Sequence, residues 1–181
     1  MSRLPAVSRD ALAPEDQAVW DRIAAARSGD GAAGPYSALM YVPALADRVA
    51  ALGDYFRFDA ALPAADRELA TLAAVREMGA RYAWARHEVN ARKAGTRTEA
   101  IEAVRANGAL EGLIARERLL VEIPRELLRT RALSDELFAR GLAELGRREL
   151  VEVVTITGHY SLIGLILNGF DVPPPDDGPT F

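Results

Sequence analysis

The sequence contains no cysteine. That removes disulfides, Cys-ligated zinc, iron–sulfur clusters and any thiol peroxidase chemistry carried by the chain's own side chains. Histidine is nearly as scarce, with only His87 and His159. They are far apart in sequence, without HExxH or clustered carboxylates, so no metal site is expected. The glycines of segment 28–34 lack a GxxxxGK[ST] pattern and a preceding strand, and read as a plain loop. GxSxG is missing too, and Ser161 beside His159 follows no triad pattern, so a serine nucleophile is not supported. No run of about 18 uncharged apolar residues long enough to span a bilayer is evident, and the N-terminal residues lack the apolar core of a secretory signal. The expectation is a soluble, cytoplasmic protein without a membrane partner. What chemistry remains is proton transfer and electrostatic stabilisation.

With 181 residues, half of them apolar, the chain suffices for one core, and residues 1–181 are expected to form one domain ending in a proline-rich tail, 171–181. A net charge of −4 argues against nucleic acid as a partner. Between Arg76 and Arg105 seven cations (Arg76, Arg81, Arg86, Arg92, Lys93, Arg97, Arg105) stand against four anions (Glu77, Glu88, Glu99, Glu102). That excess reads first as a solvated helix face, and secondly as a patch that steers an anionic substrate.

Alanine, leucine, arginine and glutamate dominate, and the pattern predicts an all-α fold. A first helix begins at Pro14 and a second after Pro43. A third opens at Pro63 with Leu69, Leu72, Ala73 and Met78 on its core stripe, and Gly79 lets it end. Helices over 82–94, stopped at Gly95, and over 98–106 follow. Segment 116–129 is predicted helical although Pro124 can kink or divide it. Ser134 is a candidate N-cap for a helix over 134–145. Segment 147–167 carries β-branched residues that favour strand locally, yet Leu150, Val154, His159, Leu162 and Ile166 roughly follow one helical face, and a helix is preferred. Wide apolar faces make self-association plausible.

His87 is the principal candidate for chemistry, because imidazole alone titrates near neutrality without perturbation. Trp84 lies one turn before it and Asn90 one turn after. The ordinary alternative is a hydrogen-bonded core histidine. Glu68 sits beside the core stripe and is a better acid–base candidate than Glu77, which falls on nearly the opposite face. A simple salt bridge to a neighbouring arginine is the competing explanation.

The stretch from Arg67 and Glu68 to Glu77, followed by Tyr82, Trp84, His87 and Gly95, resembles the carboxymuconolactone decarboxylase family and its AhpD-like branch. Further similarity lies in Gly34-Pro35-Tyr36, Leu52-Gly53 through Arg57-Phe58, and Gly158-His159-Tyr160 through Val172. Peroxidase-type members use a glutamate, a Cys-x-x-Cys pair and a histidine four residues on. Glu68 and His87 match the first and last. Ala80 and Ala83 stand at the cysteine positions and Tyr82 where an intervening relay histidine would be. The resemblance implies an AhpD-like helical bundle completed by oligomerisation, as a homo-oligomer such as a trimer or hexamer. It also implies a cofactor-independent, decarboxylase-like lyase acting on a small organic acid or lactone. In that role His87, Glu68 and Tyr82 are catalytic, while Trp84, Arg81, His159 and Tyr160 bind substrate. The alternative is a non-catalytic helical oligomer or ligand-binding module that lost peroxidase activity with its cysteines.

Overall fold

The computed structural model describes residues 2–27 and 32–181. Most of the loop expected over 28–34 lies outside the described residues. Among the described residues a short 3-10 turn, Arg9–Ala11, precedes eight helices: α1 Pro14–Ala26, α2 Tyr36–Leu39, α3 Pro43–Phe58, α4 Ala64–Glu77, α5 Arg81–Ala94, α6 Thr98–Ala106, α7 Ala115–Thr130 and α8 Asp135–Gly169. No strand occurs among the described residues.

α4 is the centre of the bundle. Its residues from Leu69 to Val75 are almost wholly buried, and it packs against α5, α6, α7 and α8. A helix apolar around its whole circumference must be surrounded, and the alanines at 70, 73 and 74 let neighbours approach closely. The expected core stripe of α4 was therefore too narrow. The starts at Pro14 and Pro43 stand as predicted, and Pro63 occupies the N-cap of α4. Gly95 ends α5 in the left-handed conformation. Pro124 lies inside α7 without dividing it. The Ser134 side chain accepts from Leu137 N–H at 3.3 Å as the N-cap of α8.

The β-branched segment is helical throughout, with one break where Gly146 takes φ 69°, ψ 176°. Left-handed φ favours glycine, and here it bends the chain between the two halves of α8. The buried face of the second half is Leu150, Val153, Ile156, His159, Ile163 and Leu167; Val154 and Leu162, expected on it, are exposed together with Val151 and Leu165. α8 is also long and apolar enough to cross a membrane by length and composition alone, contrary to the expectation from sequence, although half of that window is buried in the bundle. The tail folds back on α5: Phe181 meets the Trp84 ring edge-on at 5.3 Å and lies under Arg76.

Candidate active site

α4 and α5 are antiparallel neighbours joined by a tight turn at Gly79, which sets Glu68 opposite His87. Glu68 Oε2 lies 2.7 Å from His87 Nδ1. Burial by itself would raise the carboxyl's pKa, but the charge and hydrogen bond of His87, with Arg67 at 3.6 Å, outweigh it and hold Glu68 below the ordinary range. An ionised carboxylate only accepts, so Nδ1 carries the proton in this pair. His87 Nε2 has no hydrogen-bond partner among the described residues. It is left for a reacting group.

Both side chains line a cavity of about 230 Å³ whose walls come from the end of α1, the start of α2 and the residues before it, α3, α4, α5 and α8. Tyr160 stands edge-on to the His87 ring at 4.7 Å. Burial, reinforced by the charge of Glu68, raises its phenol pKa, so it remains protonated at neutral pH. His159 adjoins Tyr160, with ring centroids 5.1 Å apart. Burial lowers its pKa to about 4, with His87 and Arg27 adding to the effect, so it is neutral at physiological pH. Tyr82 lines the same cavity and packs closely against Gly34, which has φ 60° and no room for a Cβ beside the phenol end of the ring. Glycine at 34 is thus required twice, by conformation and by contact.

The structure accordingly brings five sequence candidates together: Glu68, His87, Tyr82, His159 and Tyr160. It separates two others. Trp84 is fully buried on another face of α5, where its Nε1–H donates to Glu88 Oε2 at 2.8 Å, so it forms no wall of the cavity. A residue three positions from His87 is a helix neighbour, but its ring here turns toward Arg105 and the C-terminal tail. Arg81 is exposed at the start of α5 and does not line the cavity either. Among the described residues the cations at the site are instead Arg27, Arg57, Arg67 and Arg86, against the single lining carboxylate of Glu68.

Sequence reasoning missed Arg27, Arg57 and Gly53 because nothing local marks them; they reach the site only through the packing of α1 and α3. The Arg76–Arg105 patch is largely self-neutralised: Arg92 and Arg105 bind Glu88 and Glu102, and Arg97 binds Glu117. Arg86 is the member of that run that faces the cavity. Glu77, as its position suggested, reaches an arginine, Arg129, at 2.5 Å. Among the described residues no three histidine or carboxylate side chains gather in a metal-binding arrangement.

The helical bundle is the AhpD-like fold. Over 97% of its length the chain superposes on 93% of an AhpD-core, uncharacterised peroxidase-related protein from Ralstonia eutropha JMP134, with TM-score 0.79 and 17% identity. A protein of unknown function from Agrobacterium tumefaciens, proposed as an AhpD antioxidant defence protein, gives TM-score 0.68 and 22% identity over 77% of this chain and 96% of its own. Identities this low establish the fold alone. No curated protein matches the sequence. The carboxymuconolactone decarboxylase family model matches residues 43–126, which include Glu68, Tyr82 and His87. The chain thus matches the carboxymuconolactone decarboxylase family model over residues 43–126, has the AhpD-like fold and contains no cysteine. Ala80 and Ala83, at the cysteine positions, are both buried, and Ala83 lines the cavity.

Proposed function

We propose that the chain is a cofactor-independent acid–base enzyme, decarboxylase-like, acting on a small carboxylated or lactone-like organic molecule. The observation that supports it above all is the Glu68–His87 pair, 2.7 Å apart at the wall of a 230 Å³ cavity, with Nε2 unengaged. Glu68 holds the tautomer and stabilises the imidazolium when Nε2 takes a proton. In loss of carbon dioxide from a carboxylate, the electrons of the breaking C–C bond remain on the substrate, and protonated His87 delivers the proton that quenches them. Arg67 and Arg86 bias the chamber toward negative charge, and the protonated phenol of Tyr160 is a hydrogen-bond donor for an oxygen on which charge develops, with Tyr82 lining the same wall. A positioned proton donor of this kind contributes on the order of 10²–10⁴ in rate. Turnover of such compounds without metal or redox cofactor, with His87→Gln as control, tests this reading.

Self-association is proposed on a separate observation. Val151, Val154, Leu162 and Leu165 are exposed on α8, and the exposed positions from 151 to 169 carry no charge. Such a face is suited to burial against another copy.

A further inference from the structure

At the end of the cavity formed by α1, α3 and α8, two side chains have unsatisfied polar atoms. His159 is 6% exposed, and its Nδ1 is buried with no hydrogen-bond partner among the described residues. Arg27 uses Nη2 on the Asp54 carboxylate at 2.5 Å and on the Ala50 carbonyl at 3.1 Å, and lies over the Tyr36 ring, yet its Nη1 is buried without a hydrogen-bond partner among the described residues. Buried donors left unpaired cost free energy, and their occurrence together at a cavity wall signals a group that the protein alone does not supply.

Gly53 points to the same place. It lies inside α3, where alanine would be favoured by about 1 kcal/mol, and its φ is not in the left-handed region that would demand glycine. A Cβ at position 53 would come 3.3 Å from Arg27 Nη2 and 3.4 Å from His159 Nε2. The missing methyl therefore lets the guanidinium and the imidazole seat closely against α3, which holds both side chains at this end of the cavity.

We propose that Arg27 and His159, seated against Gly53, form through Nη1 and Nδ1 an oxyanion subsite, distinct from the Glu68–His87 pair, that anchors the carboxylate of a small organic acid while the rest of the molecule reaches toward His87. This deepens the proposed function by assigning the substrate's charged end, and rests on it only for what happens at the other end. Arg27 Nη1 donates to one carboxylate oxygen, and neutral His159, with its single N–H on Nδ1, donates to the other. Asp54 already balances part of the Arg27 charge, so the subsite discriminates by geometry as well as by attraction. Tyr160, between the two imidazoles, is the spacer that sets the length of the ligand.

Benzoate is a suitable probe, with benzamide as its neutral counterpart. The chain has two histidines, so two imidazole spin systems appear in long-range ¹H–¹⁵N spectra, assigned with His87→Gln. Benzoate is expected to move the His159 ring nitrogens saturably, and benzamide at least about tenfold more weakly, which by affinity arithmetic is one decade in Kd. By calorimetry, Gly53→Ala and His159→Phe are each expected to weaken benzoate by about tenfold or more. Helicity and the unfolding midpoint serve as folding controls, and should one variant fail to fold the other carries the test. His87→Gln should retain benzoate binding while losing turnover, which separates failure of the subsite from failure of the catalytic reading. Absence of saturable benzoate binding, equal affinity for benzamide, or undiminished affinity in a folded Gly53→Ala or His159→Phe variant overturns the subsite.

Discussion

Glu68 and His87, nineteen positions apart in sequence, meet at 2.7 Å because the α4–α5 turn folds one helix back along the other. The carboxylate is 6% exposed, and its charge is held there by the imidazole and Arg67. Glu68→Gln keeps the shape but removes the fixed acceptor. The expected result is loss of the Nδ1–H tautomer preference in ¹⁵N spectra, a shifted pH profile, and turnover reduced by at least about tenfold. An unchanged pH profile would assign Glu68 a packing role only.

His159 makes stability depend on pH. Its folded pKa is near 4, against about 6.5 when unfolded, so between these values the unfolded chain binds a proton that the folded chain does not. Stability is therefore lost as pH falls from about 6.5 toward 4 and regained as pH rises; the single-site contribution is on the order of 2–3 kcal/mol at full extent. Urea midpoints at pH 7.5 and 4.5 should diverge less in His159→Phe than in the parent chain. Equal divergence would place the titration elsewhere.

Trp84, adjacent to the site in sequence but turned away from it, separates stability from activity. Trp84→Phe removes one donor to Glu88, whose carboxylate keeps Arg92 and Arg105, and should cost about 0.5–1.5 kcal/mol of stability, the net worth of one hydrogen bond. Turnover should stay within a few-fold of the parent. A large loss of activity in a folded variant would return Trp84 to the pocket.

Gly34 packs closely against the phenol end of the Tyr82 ring. Gly34→Ala imposes a strained φ and collides with the ring, and should destabilise by about 1–3 kcal/mol. Tyr82 fluorescence or ring NMR signals should change with it. If stability and the Tyr82 signals both stay as they were, the packing described for this pair is wrong.

Leu165 lies in the middle of the uncharged face of α8. Leu165→Glu should lower the solution mass measured by light scattering, since a charge buried between copies is costly. A parent chain that is monomeric at high micromolar concentration would remove the basis for self-association.

Helix positions were legible in the sequence because proline, glycine and serine punctuate them: Pro14, Pro43, Gly95 and Ser134 each act where local chemistry requires. The β-branched run in α8 was resolved correctly by its length. Which face that helix buries was not, since Val154 and Leu162 are as apolar as Val153 and Ile163, and only the neighbours decide. At the site, Glu68, His87 and Tyr82 were legible from a local pattern on two successive helices. Arg27 and Gly53 were not, because their meeting with His159 depends on tertiary packing across most of the chain. Trp84 was assigned to the cavity from proximity in sequence, and the rotation of α5 places it elsewhere.

The central claim is that His87 moves a proton to or from a bound organic acid. Carbon dioxide release or lactone consumption should be followed across a panel of small carboxylated and lactone compounds, with the parent chain and His87→Gln compared on the compound turned over fastest. A rate lower by at least about a hundredfold in a folded His87→Gln variant is the predicted result. Equal rates in the two proteins, or no turnover of any compound by the parent, would contradict the account.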